Sequence, residues 1–329
     1  MSNKDKGPAL TDVREDGLSA LPPKVLQTLL RDHTTGKNIF WATQDYEALG
    51  PAYDYHSEIR SEQITGDHEM VVMPRVQKSR QNQTGRSKDM AEVFTPSWIC
   101  NAQNNLVDEA WFGRKDVFNI ENTTDHTWQS TSDKIEFPEG KTWKDYVRST
   151  RMEITCGEAP YLVSRYDTTT GETIPLSERI GLLDRKIHLI NQHVEIHDDW
   201  LHWVQTAYQN TYGYEWQGDS LLLARMNLLA TFMDYHNDRF GEPPAELWLQ
   251  GIAEIISWNL WQMDGLKGVV PDSCKDNITE KVATLFGEEE LVLSCPGCRQ
   301  DDITLHNGIY CVIRDWSTGK IIRYVDLLR

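Results

Sequence analysis

Tyr212-Gly213-Tyr214-Glu215-Trp216 interrupts a run of apolar residues at helical spacing that extends from Leu176 to Tyr235. The segment is short, aromatic and flanked by helical periodicity, the pattern of a strand buried on both faces in a parallel sheet. Working outward, Arg151-Met152-Glu153-Ile154-Thr155-Cys156-Gly157 reads as an earlier strand ending in a tight turn. Ser220 to Phe232 reads as the helix after Glu215, Ala245 to Trp261 as another helix-like run, and Asp264 as the end of a third strand. Helix and strand alternate from about residue 90 to about residue 265. That alternation predicts an α/β fold with a mostly parallel sheet flanked by helices.

Toward the N-terminus, Pro22-Pro23 precedes a short helix over residues 24–30, because proline suits a first helical turn. Lys37-Asn38-Ile39-Phe40-Trp41-Ala42 has the apolar, aromatic character of a buried strand. Thr95-Pro96-Ser97 opens a helix running to about Val107, and residues 121–150 form a polar connecting region. Beyond Pro271 the cysteines appear with alternating apolar residues, and Asn307-Gly308 and Thr318-Gly319 read as hairpin turns. The chain thus divides into an N-terminal region (1–88), an α/β core (89–270) and a Cys-containing, β-rich appendage (271–329).

Composition narrows the function classes. With 39% hydrophobic and 25% charged residues the chain is too apolar to be disordered. No apolar run approaches the ~18 residues of a membrane span, and no apolar region follows the N-terminus as a signal peptide requires, so a cytoplasmic protein is expected. Thirty-three basic and fifty acidic residues leave a net charge of -17, which repels nucleic acid overall. Any DNA contact must be local or assisted by a partner subunit in a hetero- or homo-oligomer. Its candidate is the basic stretch 75–88, with Arg75, Lys78, Arg80, Arg86 and Lys88, which reads either as a solvated loop or as a phosphate-contacting arm. His188, His193, His197 and His202 lack a metal-binding pattern and read as a hydrated helix face, and the tryptophans read mainly as core.

In doubly wound sheets ligands bind at the carboxyl ends of the strands. Small residues in a turn there admit a cofactor, and an acid at the next strand end can accept both hydroxyls of a ribose. Glu153 to Leu162 supplies an acid, a small-residue turn and a helix start; Glu215 and Asp264 supply acids at the following strand ends. In this order the segments resemble the gamma-class S-adenosylmethionine-dependent methyltransferases that act on adenine N6 in DNA. Glu92-Val93-Phe94-Thr95-Pro96 resembles the family's opening element, and Glu153, Cys156, Pro160 and Leu162 match its first cofactor loop, with Ala159 where glycine is usual. Tyr212-Gly213-Tyr214-Glu215 with Ala224-Arg225-Met226-Asn227-Leu228 resembles its second element, and Asn259 to Leu266 its third. More narrowly, the chain looks like bacterial and phage proteins described as restriction-system methyltransferase subunits.

The resemblance implies a Rossmann-like methyltransferase fold over residues 88–266. It also implies S-adenosylmethionine held by Thr95, Pro96, Glu153, Cys156, Gly157, Ala159, Pro160, Glu215, Trp216 and Asp264, with Glu215 on the ribose and Asp264 on the adenine amino group. Two departures stand out. Glu153 and Glu215 are 62 residues apart, so a helical insertion is expected around Leu176 to Val194. The catalytic tetrapeptide, (N or D)-P-P-(Y, F or W), is absent. Its nearest substitute is Asn307 followed by Tyr310, which would accept from the target amino group and stack on a flipped base; Asn307-Gly308 equally suits a hairpin. A third reading of the same region is a zinc knuckle of Cys295 and Cys298 completed by His306 and Cys311, with Cys274 spare. The functional expectation is an adenine-N6 DNA methyltransferase of a restriction-modification or phage system. Its rival is an inactive methyltransferase-like subunit serving in assembly, cofactor sensing or nucleic-acid binding.

Overall fold

The computed structural model describes residues 18–77, 95–131, 134–276, 278–284 and 287–328. Helix α1 (Pro23–Leu30) starts on Pro22-Pro23 and buries Val25, Leu26, Leu29 and Leu30. Helix α2 (Ser97–Phe112) ends at Gly113, whose left-handed φ of 72° closes the last turn. Strands β1 (Asn119–Asn122) and β2 (Thr127–Ser130) pair antiparallel within the stretch expected to be only a connection. After α3 (Trp143–Arg148) comes the central sheet with its helices. These are β3 (Arg151–Glu153), α4 (Leu182–His193), α5 (His197–Gln209), β4 (Thr211–Glu215), α6 (Gly218–Phe240), α7 (Glu246–Asn259) and β5 (Leu260–Gln262). The C-terminal part holds β6 (Ile278–Thr284) paired with β7 (Gly287–Leu293), the short helix α8 (Pro296–Gln300), and β8 (Val312–Arg314) paired with β9 (Ile321–Arg323).

The three central strands run parallel in the order β3-β4-β5, with Glu153 opposite Gly213 and Glu215 opposite Gln262. Two helices cross over between each pair, so all three strand ends face the same way. The architecture is therefore α/β with a small parallel sheet, and the expected helical insertion is α4. Helix α6 is buried along most of its length and packs on α7, β4 and β5, which is why apolar residues surround it on every side. Among the described residues no helix is long and apolar enough to cross a membrane.

Three buried cations in this core are paired with main-chain carbonyls or side-chain acceptors. Arg225 on α6 is wholly buried and donates to the carbonyls of Leu29, Arg31, Ser257 and Leu260. It joins the end of α1 to the junction where α7 becomes β5. Arg185 on α4 pairs with Asp108 on α2, while its other amine donates to Asn101 and Asn105. The buried Lys186 ammonium donates to the carbonyls of Ser149 and Asn210, tying the start of β3 to the start of β4.

Two local expectations are corrected. Lys37–Ala42 makes only single bridges, Arg31 to Asn38 and Phe40 to Glu58, and Ala42 turns away with a left-handed φ of 51°. Its link to the sheet is a side chain: the Gln262 amide accepts from Phe40 N at 3.0 Å and donates to Phe40 O at 2.9 Å. Asn307-Gly308 does not join two strands, whereas Thr318-Gly319 does connect β8 to β9.

Removing the Arg225 guanidinium would leave four carbonyls without that donor, each costing about 1–3 kcal/mol when buried and unsatisfied. Arg225→Met is expected to lower unfolding free energy by at least about 3 kcal/mol. Urea melts at matched m-value check this, and a loss below about 1 kcal/mol would contradict it.

Candidate metal centre and strand-end site

At the carboxyl end of β4, Glu215 is held by main-chain donors. One carboxylate oxygen accepts from Gly157 N at 2.8 Å, and the other from Trp216 N at 2.8 Å and Gln217 N at 3.2 Å. The turn after β3 is thereby tied to the end of β4. Cys156, buried, adds a second tie through its N–H to the Tyr214 carbonyl at 2.9 Å. In the same turn Thr155 and Ala159 adopt left-handed φ values of 46° and 63°, so Ala159 takes the conformation that glycine favours. Glu153 is buried and accepts from Leu162 N at 3.2 Å. Burial pushes its carboxyl well above the usual range against the opposing pull of the Tyr161 and Leu162 amides.

Thr95 and Pro96 precede α2 and lie against the segment that follows β3. The Thr168 hydroxyl donates to Thr95 O at 3.2 Å, and Asn104 on α2 donates to Tyr161 O at 3.0 Å. Trp216 donates from its ring to the Tyr55 hydroxyl at 3.0 Å, which itself donates to Asp272 at 2.7 Å. Asp264 follows β5 and is nearly buried. It accepts from the N–H groups of Leu266 and Lys267 and pairs with the Lys267 ammonium at 3.2 Å. Thr95, Glu153, Cys156, Gly157, Ala159 and Glu215 thus fall around one end of the sheet, whereas Asp264 caps its own turn.

The second cluster is Cys274, Cys295, Cys298 and His306, whose ligand atoms all lie within 4.8 Å of one another. The three sulfurs stand 3.6, 3.5 and 3.6 Å from His306 Nδ1. One imidazole nitrogen cannot satisfy three thiols, but the spacing has a simple source. Zinc bonds of about 2.3 Å to sulfur and about 2.0–2.1 Å to nitrogen, at a tetrahedral angle, separate S and N by roughly 3.6 Å. The set could hold a metal ion such as zinc.

Local sequence builds this cluster. A Cβ on Gly297 would lie 2.6 Å from the His306 ring, and one on Gly308 would lie 2.7 Å from Ser273 Oγ and 3.2 Å from Cys274 Sγ. Only glycine lets the two loops close on each other at those points. Burial raises the Cys295 thiol, but hydrogen bonds from the Asn307 and Cys298 amides, His306 and Cys274 bring it down to about 6. A thiol so disposed gives up its proton readily to a cation.

Three expectations change here. Cys311 is fully buried away from the cluster, its sulfur 3.4 Å from Gln262 O, and Cys274 is the fourth donor in its place. Cys311 sits in the continuous apolar run Ile309 to Ile313, a core signal; Cys274 lies too far before Cys295 for spacing to connect them. Asn307 is bonded both ways to the Lys275 backbone, at 2.9 and 3.0 Å, and its N–H points to Cys295 Sγ. The Tyr310 hydroxyl accepts from His306 N at 2.8 Å and donates to Ile303 O at 3.0 Å. Both residues brace the cysteine loop through these polar groups. Most of the basic stretch, from Lys78 to Lys88, and Glu92 to Phe94 lie outside the described residues.

Compared with protein-family models, curated proteins and solved structures, the chain matches none.

The metal ligands are separable by mutation. Cys274→Ser is expected to weaken zinc binding by at least about tenfold, whereas Cys311→Ser leaves it unchanged, as read by competition with a chromogenic chelator. The reverse order would restore the sequence-based ligand set. Glu153 makes a different prediction. An unfolded glutamate titrates near 4.5 and the folded one well above it, so the native state holds the extra proton across that window. Stability contributed there is present at low pH and is lost as pH rises. Glu153→Gln removes the slope, so the variant should gain on the parent in unfolding free energy from pH 5 to pH 8. Parallel urea curves at the two pH values measure it.

Proposed function

We propose that this chain is a methyltransferase-like subunit that binds S-adenosylmethionine at the carboxyl ends of its three parallel strands and depends on a partner for methyl transfer to adenine N6 in DNA. The carrying observation is the tie between Gly157 N and Glu215, which joins the turn after one strand to the acid ending the next. Parallel neighbours with a small-residue turn beside an acid suit a nucleoside, since the backbone admits the ligand and a fixed carboxylate accepts its hydroxyls. The residues present fit such a group: a Cβ on Gly157 would meet nothing within 4 Å, so the turn faces open space.

The cofactor, when bound, supplies an electrophilic methyl group. Glu215, oriented by three amides, would accept from the ribose, and Thr95-Pro96 would border the methionine portion. Glu153 holds the loop through Leu162. Asp264, already bonded to its own turn and to Lys267, would have to share its carboxylate to accept from the adenine amino group. Zinc in the Cys274–Cys295–Cys298–His306 set is structural, because four protein donors leave no open position.

The dependence on a partner follows from Asn307 and Tyr310, whose polar groups are committed to the cysteine loop. The net charge of -17 adds to it, since a basic partner would supply the attraction for phosphates. The second reading, a methyltransferase active alone in a restriction-modification or phage system, needs that loop to rearrange.

Charge-assisted hydrogen bonds are worth about 1.5–3 kcal/mol each. Glu215→Ala is therefore expected to weaken S-adenosylmethionine binding at least about tenfold by calorimetry. An unchanged affinity, or no binding to the parent protein, would remove the proposal. Incubation with duplex DNA and methyl-labelled cofactor should show no transfer by the chain alone; transfer abolished by Asn307→Ala would establish the second reading.

A further inference from the structure

Away from both clusters, a cavity of about 260 Å³ opens where three parts of the chain meet: the first turn of α2, the β1–β2 hairpin and the loop 167–178. These parts are clipped together independently of any ligand. Ser97 N donates to Asp167 at 2.6 Å, the Trp128 ring N–H donates to Glu178 O at 2.8 Å, and the Ser130 hydroxyl donates to Ser177 O at 2.8 Å. The Trp128 ring is therefore fixed before anything binds. Trp98 stacks on His126 with centroids 4.0 Å apart and planes inclined by 22°, and both rings remain exposed on the cavity wall.

Chemistry narrows the occupant. Asp167, Glu172 and Glu178 contribute carboxylates to the lining, and among the described residues no lysine or arginine lines it. An anion is disfavoured on charge. A cation gains twice, from the carboxylates and from the negative faces of the indoles. The volume falls below the ~300–1,000 Å³ of pockets that enclose whole small-molecule ligands, which suits a single side chain. We propose that this pocket receives a lysine or arginine side chain from a basic segment of a partner protein. Asp167 is already bonded to Ser97 N and to the Thr169 and Thr170 amides, so it shapes the pocket. Glu172 and Glu178, both exposed, supply the attraction, and Trp98 and Trp128 the walls. The chain's net charge of -17 makes a basic protein the natural partner, and the proposal stands independently of cofactor binding.

The test uses the full chain and three probes, N-acetyl-lysine methylamide, N-acetyl-arginine methylamide and the neutral N-acetyl-norleucine methylamide, followed by tryptophan fluorescence and by NMR of the indole N–H signals. The cationic probes should bind saturably and shift the Trp98 and Trp128 signals, with the neutral probe at least about fivefold weaker. Trp98→Ala, at an exposed position, and Glu172→Gln/Glu178→Gln should each weaken the cationic probes at least about fivefold. Glu47→Gln/Asp54→Asn, outside the pocket and equal in charge change, should leave them unaltered. Equal binding of the neutral probe, equal loss in the control variant, or no saturable binding of either cation would overturn the proposal.

Discussion

Four main-chain carbonyls, at the end of α1 and where α7 becomes β5, converge on the guanidinium of Arg225, and the arrangement of the N-terminal region on the sheet depends on that convergence. The last carbonyls of a helix have no partner within it, and a cation there also meets the negative end of the helix dipole. Arginine suits the position because its five N–H donors are held in a rigid fork. Burial lowers its pKa to about 10, so it stays charged at neutral pH. Because it holds Leu260, it also fixes the start of β5. Two residues later Gln262 binds both Phe40 and the Trp216 carbonyl, so the strand ends inherit their alignment from this buried cation.

The cysteine-containing appendage is built onto the same sheet edge. Cys311 N donates to Gly268 O, Val270 N to Ile309 O, and Tyr55 bridges Trp216 to Asp272, two residues before Cys274. A short edge strand such as β5 exposes unpaired backbone groups, and covering it is a common protection against misassembly. Closing the Cys/His loops with an ion would therefore stiffen the cover over the strand that precedes Asp264.

Much of the site's frame was legible in local residue patterns, and what was missed has definite causes. Tyr212 to Trp216 announced a buried parallel strand because a short aromatic break between helical periodicities has few other solutions. Cys295 and Cys298 with His306 were legible since a two-residue gap permits joint coordination. Cys274 was not, because it reaches the cluster only through the contact of Gly308 with Ser273 and Cys274. The β1–β2 hairpin was also hidden: its strands are mostly exposed, so no alternation of apolar residues marks them.

Sequence by itself determined the α/β class, the helices α1, α2, α6 and α7, and the order of acids at the strand ends. Each follows from periodicity or from the intrinsic geometry of proline and glycine, which act over a few residues. Tertiary structure alone decided what those groups touch. Asn307 and Tyr310 carry residue types suited to holding a base, yet the fold bonds them to Lys275, His306 and Ile303. Cys274 and Cys311 are chemically identical, and only packing sends one to the His306 cluster and the other into the core. Hydrogen bonds and metal ligation depend on distances between residues remote in the chain, and those distances exist only once the apolar core has closed.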